Sequence, residues 1–227
     1  MPAVARLEPW MGLAKDVLIP PIWLWFDWRF EGLEHIPPDG PALVACNHIS
    51  NFDPLAHGYF LVRAGRRPRF LAKIELFRNP IAGPVLRGAR QIPVRRGSGD
   101  RAPVEFASNA VRAGEVVVIY PESTVTTNPD LSPMRGKTGV ARLTLTTGVP
   151  VIPLAVWGSG PVWRRGSRSF RLRRPIWVKA GSPLDFSAYE DRADDPTALR
   201  EVTDEVMAQL SLLVDDLRER YPKRWTA

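Results

Sequence analysis

Short apolar runs rich in β-branched residues alternate along this chain with segments of helical period. That alternation argues for an α/β fold, a single domain with a largely parallel central sheet flanked by helices. Length and composition agree. The 227 residues suffice for one sizeable core, and 44% hydrophobic with 24% charged residues is the balance of a folded chain. The 23 prolines are scattered, so they read as punctuation between elements. No internal repeat is visible.

The first stretch differs from the rest. Trp10, Trp23, Trp25 and Trp28 make up half of the eight tryptophans, and Pro20, Pro21, Asp27 and Arg29 interrupt the apolar run. A bilayer span needs about 20 uninterrupted apolar residues, so this one cannot cross unaided. It also lacks the small-residue cleavage site of a secretory signal. Tryptophan favours the headgroup level, so residues 1–35 are expected to form a Trp-rich membrane-interface segment, helical in part. An amphipathic helix packed on the protein's own core is the alternative. Residues 36–227 are expected to hold the main domain.

Within it, residues 42–46, 69–72, 91–94, 116–120, 151–157 and 176–180 read as strands. Residues 54–64, 80–88, 102–113, 136–147 and 196–220 read as helices. The last begins with Asp195 before Pro196, a capping residue followed by proline at the first helical position. Leu199, Val202, Val206, Leu210, Leu213 and Leu217 then share one face.

Charge is unevenly spread. The total is +7, yet residues 63–101 carry eleven Lys/Arg against Glu75 and Asp100, while residues 185–219 carry eleven acids against three basic residues. Such asymmetry predicts a face that meets something anionic: nucleic acid, anionic lipid or a phosphorylated small molecule. Cys46 is the sole cysteine, which excludes an intramolecular disulfide and a cysteine-based zinc cluster. His35, His48 and His57 lack the spacing of familiar metal motifs, so no metal is expected.

In parallel α/β folds ligands sit outside the carboxyl ends of the strands. Asn47-His48, Arg95-Arg96 and Pro121-Glu122 each follow a candidate strand, so an imidazole, a guanidinium and a carboxylate are expected on one rim. Asp53, just before Pro54, suits a helix N-cap. The same carboxylate can also turn back to His48, fix its tautomer and prepare it as a general base.

His48 followed by four residues and Asp53 resembles the first signature of the glycerolipid acyltransferases, which include the 1-acyl-glycerol-3-phosphate acyltransferases. Three further blocks follow in that family's order. Ile92-Pro93-Val94-Arg95-Arg96-Gly97 resembles the second, Tyr120-Pro121-Glu122-Ser123-Thr124 the third (usually Phe-Pro-Glu-Gly-Thr) and Val149-Pro150-Val151-Ile152-Pro153 the fourth. Lys137 and Gly139 match a Lys-x-Gly element. The resemblance implies that His48, oriented by Asp53, deprotonates an acceptor hydroxyl that attacks an acyl thioester directly. The missing Gly-x-Ser-x-Gly elbow agrees with there being no acyl-enzyme.

By the same resemblance Arg96 and Glu122 would bind the acceptor headgroup, with Arg96 on its phosphate. Thr124 and Lys137 belong to the same acceptor-binding set, and Arg135, Lys137 or Arg95 are candidates to replace a missing phosphate-binding arginine. Asn47, Ser50, Pro121, Gly139 and Pro153 support the motifs. The expected partners are an anionic phospholipid surface, a lysophospholipid acceptor and acyl-CoA or acyl carrier protein as co-substrate. No nucleic acid and no bound cofactor are expected. The expected place is peripheral, on the cytoplasmic side of the cell membrane, in phospholipid synthesis. Two residues depart from the pattern: Ser123 replaces a glycine, and Val125 stands where many members carry arginine. Other acceptors are therefore alternatives: glycerol 3-phosphate, a lyso-aminolipid or a glycolipid. A non-enzymatic anionic-lipid-binding module and a metal- or serine-dependent hydrolase are the readings from other classes.

Overall fold

The run Ala-Leu-Val-Ala-Cys forms strand β2 (Ala42–Cys46), buried along its whole length at the middle of the sheet. The computed structural model describes residues 24–95, 102–163, 166 and 173–225. Among these, the other strands are β1 (Asp27–Glu31), β3 (Pro68–Lys73), β4 (Ile92–Val94), β5 (Val116–Ile119), β6 (Val151–Trp157) and β7 (Pro175–Ala180). The α-helices are α1 (Asp53–Arg63), α2 (Ile74–Phe77), α3 (Ala82–Gly88), α4 (Ala102–Arg112), α5 (Gly139–Thr147) and α6 (Pro196–Arg220). The strand order is β1-β7-β6-β2-β5-β3-β4. The expected α/β domain with a mostly parallel sheet and flanking helices is what the chain forms.

Strand direction decides where chemistry can gather. β6, β2, β5, β3 and β4 are mutually parallel, β7 runs antiparallel to β6, and β1 runs parallel to β7. The carboxyl ends of five strands therefore share a rim with the amino ends of β7 and β1.

The two faces follow from side-chain alternation. Leu43, Ala45, Val117 and Ile119 point into a core built with α4, α5 and the first half of α6. Val44, Cys46, Val116 and Val118 point the other way, toward α1 and an aromatic group that includes Phe26, Phe52 and Phe60. Each such fully buried aliphatic or aromatic side chain stabilises the fold by about 1.5–3 kcal/mol relative to exposure. Helix α6 starts as expected: Asp195 accepts the Thr197 N–H at 2.9 Å and Pro196 occupies the first turn. Leu199, Val202, Val206, Leu210 and Leu217 are buried on one side.

Two expectations need correction. Residues 27–31 lie in the segment read as an interfacial helical piece, yet they form β1, an edge strand paired with β7. Trp28 packs edge-on against Tyr59 at 5.0 Å, and Phe30 against Phe60 at 5.6 Å, so these rings serve the protein's own core. Trp10 and Trp23 lie outside the described residues. The single helix expected over 80–88 is instead the second of two short ones, α2 and α3. Pro80 disfavours helical backbone at Asn79, and the Asn79 carboxamide oxygen accepts the N–H groups of Ile81 and Ala82, both at 2.9 Å. Among the described residues no helix is long and apolar enough to cross a membrane.

Candidate active site

Where β2 ends, the chain turns through residues 47–52 into α1, and Asp53 is the first residue of that helix. Its carboxylate does not cap the helix, contrary to the simplest expectation. It turns back instead. Oδ2 accepts the N–H of Ile49 at 2.6 Å and of Ser50 at 2.7 Å, and lies 2.9 Å from His48 Nδ1. Oδ1 accepts the Ser159 hydroxyl at 2.6 Å. Asp53 is fully buried, and a carboxylate is kept in such a place only by donors of this kind.

This arrangement sets His48. With Nδ1 donating to Asp53, Nε2 is the ring nitrogen left to accept a proton from a substrate. The His48 side chain is 11% exposed, so the imidazole reaches the surface while its partner does not. Its ring stacks on Tyr120, centroids 4.4 Å apart and planes 28° from parallel. Tyr120 is held in turn, its hydroxyl lying 3.0 Å from Nδ1 of the fully buried His57. Burial pushes the His57 imidazole down to about 4 and the Tyr120 hydroxyl up, so both are neutral near pH 7.

Glu122 follows β5, the direct neighbour of β2, and its carboxylate joins two loops. Oε1 accepts the His48 N–H at 3.0 Å, and Oε2 accepts the Met134 N–H at 2.9 Å. Expected at the acceptor headgroup, it has main-chain partners on both oxygens. Burial pushes its carboxyl up to about 7, opposed by those two N–H groups. A linkage follows. In the unfolded chain this carboxyl titrates near 4.5, so between pH 4.5 and about 7 the folded state holds a proton that the unfolded state has lost. Glu122's contribution to stability is therefore full below pH 4.5 and disappears as pH rises through 7. Thermal melts at pH 4.5 and 8 should show wild type losing up to about 3 kcal/mol relative to Glu122→Gln between the two. A pH-independent difference would contradict this.

The turn from Tyr120 to Ser123 is closed by the Ser123 N–H donating to the Tyr120 carbonyl at 2.9 Å, and Ser123 has φ of 60°. That is the left-handed region, which costs an L-residue about 1–2 kcal/mol and glycine almost nothing. The serine at the family's glycine position thus keeps the glycine conformation under strain. Ser123→Gly should raise stability by about 1 kcal/mol, or about 2–4 °C in Tm, and an unchanged Tm would contradict the strain.

The remaining expected residues divide clearly. Asn47 bridges strands: its amide donates to the Val156 carbonyl at 3.1 Å and accepts the Val156 N–H at 2.8 Å. Ser50 Oγ donates to the Trp163 carbonyl at 2.9 Å and accepts the Phe52 N–H. The Pro121 carbonyl accepts the Lys137 N–H at 2.9 Å, closing the loop after β5, and Gly139 opens α5. Pro153 sits inside β6 opposite Ala45, and its carbonyl accepts the Gly181 N–H. Thr124 is half-buried, Arg135 and Lys137 are exposed on the rim, and Val125 is buried. Arg96 lies outside the described residues; Arg95, at the end of β4, is exposed. Among the described residues no three His, Cys, Asp or Glu side chains converge as a metal site.

Ser159 escapes sequence reading, because its partner is 106 residues away and only the pairing of β6 with β2 brings them together. Ser159→Ala removes one of four donors from the Asp53 carboxylate and leaves the other three. If the dyad is the catalytic base, kcat should fall about tenfold with KM unchanged, and Ser159→Thr should restore it. A loss confined to KM would rule out this positioning role.

The chain belongs to the Acyltransferase family, whose sequence model matches residues 27–157, more than half of its 227 residues. It is similar to the chloroplastic 1-acyl-sn-glycerol-3-phosphate acyltransferase BAT2 of Brassica napus, 28% identical over 72% of this chain and 46% of that one. A lyso-ornithine lipid O-acyltransferase of Pseudomonas aeruginosa is 31% identical over 52% of this chain and 44% of that one. The chain thus spans less than half the length of both. The crystal structure of the 1-acyl-sn-glycerophosphate acyltransferase PlsC from Thermotoga maritima matches with a TM-score of 0.68 at 26% identity, covering 89% of this chain and 76% of that one.

Proposed function

We propose that this protein transfers a fatty acyl group from an acyl thioester to the free hydroxyl of a lysophospholipid, 1-acyl-sn-glycerol 3-phosphate foremost. The observation that carries the reading is the buried Asp53 carboxylate 2.9 Å from His48 Nδ1, which leaves Nε2 as the base. His48 Nε2 takes the hydroxyl proton as the oxygen attacks the thioester carbonyl. A C–O bond forms, the C–S bond breaks, and the proton passes from the imidazolium to the departing thiolate. No covalent intermediate with the protein is needed, and no cofactor takes part. Acyl-CoA and acyl carrier protein both supply the required thioester. Arg135 and Lys137, exposed beside the site, suit a phosphate, and Arg96 is assigned the same role by its motif. The expected setting is the cytoplasmic face of the membrane that holds the acceptor.

One observation favours a second acceptor class. Val125 is buried where the family pattern places an arginine, so this chain presents no cation there, as suits a headgroup with less negative charge. A lyso-aminolipid fits that description. The test is thiol release from a long-chain acyl-CoA by purified protein, with 1-acyl-glycerol 3-phosphate, lyso-ornithine lipid or glycerol 3-phosphate as acceptor. Release stimulated most by the first supports the primary reading. A preference for the lyso-aminolipid transfers it to the second, and no acceptor-dependent release with either acyl-CoA or acyl carrier protein overturns both.

A further inference from the structure

Seven large apolar side chains are markedly exposed among the described residues, and five of them, Leu24, Trp25, Leu76, Ile81 and Trp163, gather at one end of the sheet. Leu24 and Trp25 precede β1, whose amino end lies on the rim where β2 delivers His48. Leu76 and Ile81 follow the carboxyl end of β3 on the same rim, and Trp163 follows β6. In the sheet order β1 and β3 stand five strand spacings apart, roughly 24 Å, with β2 and β5 between them. Apolar points therefore straddle the site.

The pair α2–α3 is a built unit and not a loose loop. Gly83 lies so close to the Phe77 carbonyl that a Cβ there would come within 2.4 Å of its oxygen. Arg87 donates to that same carbonyl at 2.5 Å, closing the end of α2. Held this way, the hairpin keeps Leu76 47% and Ile81 82% exposed. Lys73 and Arg78 flank them, both exposed and neither paired with a carboxylate among the described residues, and Glu75 is the only acid between Lys73 and Arg87. Aliphatic tips flanked by two exposed cations, neither with a carboxylate partner among the described residues, match a bilayer bearing anionic headgroups, which takes the apolar groups to acyl depth and the cations to phosphate level.

We infer that the α2–α3 hairpin is a membrane-docking element for anionic phospholipid bilayers, separate from the N-terminal tryptophan segment, and that it lays the His48 rim flat on the lipid surface. The surface chemistry carries this independently of acyl transfer. Lys73→Gln and Arg78→Gln should each weaken partition onto phosphatidylglycerol vesicles about fivefold, with the effect fading in high salt. Leu76→Ser with Ile81→Ser should weaken it about tenfold or more.

The deciding experiment places an environment-sensitive fluorophore on Ile81→Cys in the full chain, with the native Cys46 fully buried and wild type labelled in parallel as the blank. A control carries it on Leu212→Cys, 62% exposed on α6 and away from the rim. On phosphatidylglycerol vesicles the label at 81 should shift to the blue and be quenched by brominated acyl chains, while the label at 212 stays aqueous. A bound protein with residue 81 still in water overturns the inference, as does failure to bind the vesicles at all. Equal shifts at both sites, equal response to neutral phosphatidylcholine, or a response to acidic acyl carrier protein but not to vesicles also overturn it. Because no turnover is measured, an inactive protein that docks refutes the enzymatic reading alone.

Discussion

Asp53→Ala should inactivate the protein and strip away much of its stability together. Four donors converge on this carboxylate: the N–H groups of Ile49 and Ser50, the His48 ring and the Ser159 hydroxyl. Alanine leaves them facing a small buried void with no acceptor. Buried donors stripped of a charged partner cost about 3–5 kcal/mol as a set. That is a large share of the ~5–15 kcal/mol by which a domain is stable. The activity loss has a separate cause, since an unanchored His48 no longer presents a fixed tautomer and kcat should drop about 10³-fold or more. Asp53→Asn separates the two effects. Its carboxamide oxygen still accepts from some donors, so part of the stability returns, but its NH2 group opposes the remaining donors and activity stays lost. Denaturant unfolding alongside acyl-transfer kinetics checks both. An alanine variant as stable as wild type would mean that the carboxylate does not organise this loop.

Much of the fold was legible because its strands are buried on both faces. Runs such as Val116–Ile119 and Val151–Trp157 are apolar throughout, as central strands of a parallel sheet must be, and proline or glycine marks their ends. β1 was not legible for the opposite reason. Asp-Trp-Arg-Phe-Glu alternates on a half-exposed edge, and its aromatics resemble an interfacial stretch until Tyr59 and Phe60 are seen to cover them. The reversal of β7 leaves no trace in its residues, because periodicity reports burial and not direction. Helix α2, four residues long, is too short to show a period.

The site divides along similar lines. His48 and Asp53 were legible since five positions suffice for a strand-to-helix turn to fold back on itself. The strand-end rule placed Glu122 on the same rim, and β5 does lie beside β2. What no sequence pattern gives is the partner of a side chain. Glu122 holds the main chain at His48 and Met134, and Ser159 arrives on Asp53 from the end of β6, through contacts fixed only when the sheet assembles. That Ser123 keeps the left-handed backbone of the usual glycine, with φ of 60°, is seen only in the structure, since a serine there is equally compatible with a loop of different shape.

His48→Ala bears most directly on the central claim. The ring touches the solvent edge of the site and is 11% exposed, so its removal should cost far less stability than the loss of Asp53. Under the proposed mechanism it removes the side chain that takes the acceptor's proton. A positioned general base contributes about 10²–10⁴-fold, and His57, neutral, buried and turned to Tyr120, is not placed to substitute. The measurement is acceptor-dependent thiol release from acyl-CoA, made on wild type and His48→Ala at equal concentration, with a thermal melt of each. Release that falls about 10³-fold in a variant that still melts cooperatively is the predicted result. Release within tenfold of wild type would contradict the account and remove His48 from the mechanism.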